Sequence, residues 1–248
     1  MPDRLFSDPS LAEWYDAFCP WEPHGDSGFY LPLVMSAAAV LDVGCGTGAL
    51  LHHARAAGHA GRLAGLDPAA AMLDIARSRD DVEWILGTLA DVDFDHEFDL
   101  VVMTGNAFQV FVTDDELRSS LGAIRDALTS TGRFAFETRN PPAREWERWT
   151  PDNAREVADD AGTVMRMEQN VVSAEGQRVR FTLTFTTPAW DRPEVSESTL
   201  RFLDVETLNA FLREAGFEIE HQFGDWAREP LTPESLEIVT VARPVTGG

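Results

Sequence analysis

Lysine is absent from this 248-residue chain: the 20 basic side chains are all arginine, set against 42 acidic ones, for a formal charge of −22. A field of that sign repels phosphate backbones and anionic lipid heads before any specific contact forms, which argues against nucleic acid and membrane surfaces as partners. The missing lysine fits either a salt-adapted surface or a biased genome. Cysteine is nearly as scarce. Cys19 and Cys45 are too few for a disulfide framework and too far apart for a metal knuckle, so two free thiols in a reducing cytoplasm are expected. No window approaches the roughly 18 apolar residues that a membrane span needs. Met1-Pro2-Asp3-Arg4 also lacks the basic-then-apolar order of a secretory signal.

What is present is 44% hydrophobic, enough to bury one substantial core. From about position 39, short apolar runs alternate with amphipathic stretches, the pattern of parallel strands joined by helical crossovers. Strands are predicted at Val40 to Val43, Leu63 to Leu66, Val82 to Leu86, Phe98 to Met103 and Arg133 to Glu137. Helices are predicted at Leu50 to Ala57, ended by Gly58, and at Pro68 to Arg77 with proline in first position. Thr113-Asp114-Asp115-Glu116 reads as a capping box ahead of Leu117, Leu121, Ile124 and Leu128.

After Glu137 the rhythm changes. Asn140-Pro141-Pro142 cannot continue a central strand and reads as a chain bend. Val179, Phe181, Leu183 and Phe185 then alternate with polar residues, predicting a half-buried antiparallel strand that pairs with Val164 to Asn170 around Ala174-Glu175-Gly176. Asp204 caps a helix carrying Leu208, Phe211 and Leu212, and strands at Phe217 to Phe223 and Leu236 to Val241 finish the chain.

The most informative segment is Val40-Leu41-Asp42-Val43-Gly44-Cys45-Gly46-Thr47-Gly48, a hydrophobic strand running into a glycine-rich turn. Glycine is needed where the backbone bends with positive φ or where a ligand approaches the main chain. Asp67 ends the next strand, where a doubly wound sheet sets an acid against the ribose hydroxyls of a nucleotide-like cofactor. The same carboxylate could cap the helix starting at Pro68.

These residues resemble the first motif of the class I S-adenosylmethionine-dependent methyltransferases, an acid, one residue, then Gly-x-Gly-x-Gly, matched by Asp42, Gly44, Gly46 and Gly48. Phe98 to Val102 looks like the family's fourth strand, and Leu212 to Phe217 with Leu236 to Val241 looks like its last helix and antiparallel seventh strand. The implied fold is α/β: a doubly wound, seven-stranded, mostly parallel sheet with an antiparallel last strand, an inserted antiparallel β-hairpin after the fifth strand and an N-terminal helical lid. A single domain would then divide into a lid at 1–35, a Rossmann-like core at 36–140 and 204–244, and an insert at 141–203 over the active site.

The resemblance implies S-adenosylmethionine as cofactor. It sets Gly44, Cys45 and Gly46 along the methionine and ribose, counts Gly48 with them as cofactor-binding, and puts Asp42 behind the amino group. Asp67 would hold the ribose, with Pro68 and Met72 near the adenine. Thr88 stands where the family commonly has an adenine-binding acid, with Leu89 offering a backbone N–H and Asp91 as the alternative. Thr104 would face the methionine and Asn106 the acceptor, unless Asn106 serves the local turn. Arg139 could bind an acceptor carboxylate or form a structural ion pair. The oxygen ligands of a metal-dependent methyltransferase are missing from the strand ends, and the histidines show no ligand spacing, so no metal is inferred.

Ahead of the first strand, Trp14-Tyr15-Asp16 and Trp21-Glu22-Pro23-His24 form an aromatic stretch that reads either as a lid or as packing. Tyr15 and His24 are the candidate bases, and Tyr15 could touch the methionine end. The expected reaction is methyl transfer to N or O, less readily C, of a small metabolite by a monomer or homodimer. The rivals are a nicotinamide oxidoreductase, since Gly44 to Ala49 fits a relaxed dinucleotide fingerprint, and a noncatalytic cofactor-binding protein.

Overall fold

In a computed structural model, which describes residues 2–22, 25–159 and 161–245, the apolar run before the glycine turn forms β1 (Ala39–Val43), an interior strand buried from Val40 to Val43. It pairs in parallel with β2 (Arg62–Asp67) on one side and β4 (Phe98–Met103) on the other; β3 (Glu83–Leu86) lies beyond β2. β5 (Leu128–Arg139) adds in parallel to β4 and is longer at both ends than its apolar core suggested. The chain therefore leaves β1 toward β2 and β3, then returns to its other side. That reversal opens the crevice in which doubly wound sheets bind ligands, beyond the carboxyl ends of β1 and β4.

The sheet is completed by β10 (Phe217–Phe223) and β11 (Glu237–Pro244), with β11 antiparallel to both β5 and β10. Its seven-stranded order is β10-β11-β5-β4-β1-β2-β3. On one face α7 (Asp114–Ala127) and α8 (Val205–Glu214) bury Leu117, Leu121, Leu208 and Leu212 against Val101, Phe134 and Phe136. The capping box at Thr113 and the Asp204 cap are both formed. On the other face α4 (Asp26–Ser36) and α5 (Ala49–Ala56) pack Phe29, Tyr30, Leu50 and Leu51 over Val40, Val102 and Ala135. α6 (Ala70–Ala76) begins two residues after Pro68, because Asp67 accepts from Ala69 N at 2.8 Å and holds the entry extended.

Two elements differ from expectation. The hairpin β7 (Val164–Glu175) and β8 (Arg178–Thr186) is the middle of a four-stranded antiparallel sheet, flanked by β6 (Arg155–Ala158) and β9 (Glu194–Arg201). The N-terminal 35 residues are also not one unit. α4 belongs to the core, where burying Phe29, Tyr30 and Val34 contributes about 1.5–3 kcal/mol per side chain. The short turns α1 (Arg4–Ser7), α2 (Pro9–Ala12) and α3 (Tyr15–Phe18) instead lay Leu5, Leu11 and Phe18 on the apolar face of the second sheet, among Met165, Phe181 and Phe185. No described helix is long and apolar enough to cross a membrane.

Candidate active site

The glycine turn follows β1 with Gly44, Gly46 and Gly48 all at positive φ, where a side chain would be strained. Their surroundings separate their roles. A Cβ on Gly48 would stand 2.4 Å from Trp84 Cη2, so this glycine is required by packing against the β3 tryptophan. A Cβ on Gly44 would meet Ala107 at 3.0 Å, and one on Gly46 would meet Met72 Cε at 3.3 Å. Gly44 and Gly46 therefore face the β4 loop and α6 across the crevice. Gly44 N and Cys45 N both donate to Leu66 O, which anchors the turn to β2. The Cys45 thiol is buried, and that burial pushes its pKa up.

Asp67 serves both readings of its position. Its Oδ2 accepts from Gly46 N at 2.9 Å and its Oδ1 from Ala69 N, so one carboxylate ties the turn to the entry of α6. Burial raises its pKa, and the two backbone donors pull it back. Asp42 is 1% exposed, and its Oδ1 finds no donor among the described residues. Desolvation, with Asp67 and Glu137 nearby, pushes its carboxyl up to about 8.

Residues 40–132 match the family model of a methyltransferase domain. The chain is 28% identical over 205 residues to the cypemycin N-terminal methyltransferase of a Streptomyces species, covering 82% of this chain and 81% of that one. Residues 40–132 are thus an S-adenosylmethionine-dependent methyltransferase domain. Solved structures below 25% identity show the same fold. An S-adenosylmethionine-dependent methyltransferase from Clostridium acetobutylicum superposes with a TM-score of 0.76 at 16% identity over 96% of this chain and 98% of its own. S-adenosylmethionine-bound CalS10, an amino pentose methyltransferase from Micromonospora echinaspora, gives 0.68 at 23% over 92% and 93%. The nicotinamide reading falls with this assignment.

The methyltransferase crevice suits its cofactor on its own terms. The cofactor carries a primary ammonium, and the orphaned, buried Asp42 Oδ1 is an acceptor without a donor. Gly46 keeps the space between the turn and Met72 clear of a side chain. Met72 is buried against α2, whereas Pro68 is exposed at the crevice rim. Thr88 N and Oγ1 both donate to Asp91 Oδ2, so Asp91 is spent on its own loop and Leu89 is buried behind it.

At the acceptor side, Thr104 is half-buried, and Asn106 sits at φ 61° with its N–H donating to Glu137 Oε1 at 2.8 Å. The sequence reading missed Glu137. It is fully buried at the end of β5 and also accepts from the Tyr30 hydroxyl. Burial pushes its pKa up to about 7, against the pull of both hydrogen bonds. A carboxylate following Phe134, Ala135 and Phe136 in a buried parallel strand was the available signal. Glu237, opposite Arg139 in the β11 register, was equally silent.

Arg139 is not free to bind an acceptor carboxylate. Its Nη1 donates to Gln109 Oε1 at 2.9 Å, its Nε lies 3.0 Å from Glu145 Oε2 without a well-directed hydrogen bond, and it stacks over Trp149. Asn140 holds the chain bend by donating to Thr232 O and Ser235 O. The Tyr15 hydroxyl lies beside Cys19 and close to Gly105, and burial raises its pKa, which argues against its acting as a base. Its neighbour Asp16 accepts from Thr47 Oγ1 at 2.6 Å, a contact joining the N-terminal segment to the glycine turn. His24 lies outside the described residues. No group of three or more His, Cys, Asp or Glu side chains among the described residues could hold a metal ion.

Proposed function

We propose that this enzyme methylates the nitrogen of a small-molecule amine. The observation that carries the reading is the make-up of the acceptor side: Glu137 and Glu237 are buried there with Arg139 among them, and Asp42 lies next to Glu137 on the cofactor side. Carboxyl oxygens crowded in this way favour a guest that donates hydrogen bonds, and once ionised they favour a cationic guest and penalise an anionic one. The names of two similar proteins, an N-terminal methyltransferase and an amino pentose methyltransferase, support an amine acceptor.

S-adenosylmethionine supplies an electrophilic methyl group on a sulfonium, and transfer is an in-line displacement. The protein's part is to align two reactants and exclude water. In this reading Asp67 holds the ribose, Asp42 the amino group, and Gly44, Cys45, Gly46 and Thr104 line the methionine. Pro68, Met72, Thr88 and Leu89 border the adenine. Asn106 faces the acceptor, Arg139 sets the charge of the cluster, and residues 2–22 cover the site with Tyr15 innermost.

The test is incubation with methyl-labelled S-adenosylmethionine and matched pairs of amines and alcohols of the same skeleton. Label is expected in the amines. Label confined to the alcohols would overturn the nitrogen reading, and label confined to anionic acceptors would overturn the charge argument.

A further inference from the structure

An amine received by carboxyl oxygens is held best as ammonium and must lose a proton before nitrogen can attack. The bases suggested by sequence do not answer this need: Tyr15 holds its own proton by burial, and Arg139 is a cation already engaged. Glu237 occupies the first position of β11, opposite the last residue of β5, at the carboxyl edge of the sheet. It is 6% exposed, and its Oε2 has no donor among the described residues. Its side chain touches that of Asn106, whose own Oδ1 is buried and without a donor. Gly105, next along that turn, is exposed at the crevice mouth.

With Glu237 ionised, Asn106 Oδ1 and Glu237 Oε2 are buried acceptors lacking donors on two side chains that touch, which is costly, and a group that only donates would satisfy both. An ammonium ion is such a group. We propose that Asn106 Oδ1 and Glu237 Oε2 receive the acceptor as an ammonium ion and that Glu237 takes its proton. This rests on the amine reading above. One N–H bond of the ammonium breaks and its proton passes to Glu237 Oε2. The freed lone pair then bonds to the methyl carbon as the carbon–sulfur bond breaks and S-adenosylhomocysteine leaves. Glu137 is a positioning residue in this scheme, because it fixes the Asn106 backbone through Oε1.

The titratable and charged groups facing Glu237 are Arg139 and Glu137 from β5, Glu145 from the turn that follows and the Tyr30 hydroxyl from α4. Burial pushes the Glu237 carboxyl up to about 8; Arg139 and the Asn106 contact oppose this, and the two glutamates reinforce it. Its proton affinity thereby approaches that of an alkylammonium, which is what efficient transfer requires.

The experiment measures kcat/KM against pH for cyclohexylamine and benzylamine, whose ammonium groups deprotonate well above Glu237, with S-adenosylhomocysteine affinity by calorimetry as the folding control. The wild-type profile should rise through about pH 8 and fall again as the free amine deprotonates. Glu237→Gln should lose about 100-fold near neutrality. Its rate should then climb steadily to the amine's own pKa, since only the neutral amine can react, while S-adenosylhomocysteine binding is kept. If Glu237→Gln does not bind S-adenosylhomocysteine, Glu237→Asp carries the test: it keeps a carboxylate, so the bell should persist with its rising limb displaced. A rising limb unmoved in the folded variant overturns the proton role while leaving the amine reading intact. If the wild type methylates neither amine, both fall.

Discussion

Asp67 spends both carboxylate oxygens on backbone N–H groups, and in the proposed complex it also accepts from the ribose. Asp67→Ala should therefore weaken S-adenosylhomocysteine binding by about 1–3 kcal/mol, roughly 5- to 150-fold, and lower the melting temperature as well. Calorimetry on the folded variant decides: an unchanged affinity would remove Asp67 from the cofactor. The neighbouring glycines should part company. Gly46→Val strains a φ of 55° and fills the space facing Met72, so it should abolish binding at modest cost to stability. Gly48→Ala drives a methyl group into Trp84 and should act mainly on the melting temperature. If Gly48→Ala were the variant that loses affinity while keeping its stability, the division of labour in the turn would be reversed.

At the scale of the element, the N-terminal strap is bound at both ends. Leu5 N donates to Ser196 Oγ and Asp3 accepts from Ser198 Oγ on β9, while Asp16 accepts from Thr47 in the glycine turn. Asp16→Ala cuts the second tie without emptying the core. Dissociation of S-adenosylhomocysteine should then speed up roughly 5- to 10-fold, for a hydrogen bond worth about 1 kcal/mol or somewhat more. Stopped-flow displacement measures it, and an unaltered rate would show that the strap does not gate the crevice. A truncation meant to remove the strap should stop before residue 25, since a start near Leu31 would cut into α4 and the core.

The same elements show what the sequence could disclose. The glycine turn, the capping box and the alternation of β8 are local patterns, and they fold as local patterns predict. β9 stayed hidden because its inward positions are Ser196 and Ser198, polar residues whose partners lie in the strap rather than in an apolar core. Glu237 stayed hidden for a related reason: it meets Arg139 and Asn106 only through the antiparallel register of β11. Residues that depend on distant partners carry little signal of their own.

For the molecule as a whole, burial holds several carboxyls above their ordinary range, most of all Asp42 and Glu237 at about 8 and Glu137 at about 7. In the unfolded chain they ionise near pH 4. Between that value and about 8 the folded state binds more protons than the unfolded one, so their contribution to stability is full at low pH and is lost as pH rises. Each group adds a slope of up to about 1.4 kcal/mol per pH unit across its window. The melting temperature should fall between about pH 5 and pH 9, and S-adenosylmethionine should restore part of it by pairing with Asp42. A melting temperature that rises over that interval would mean the cluster is ionised and internally compensated at neutral pH.

Gln109 reaches in two directions: it accepts from Arg139 at the end of β5 and donates to the carbonyl of Arg201 at the end of β9. The insert thus leaves the core and rejoins it at one riveted point, and the crevice residues from Asp42 to Thr104 lie outside its span. One glutamine closes the whole segment between those two arginines into a loop hinged on the core.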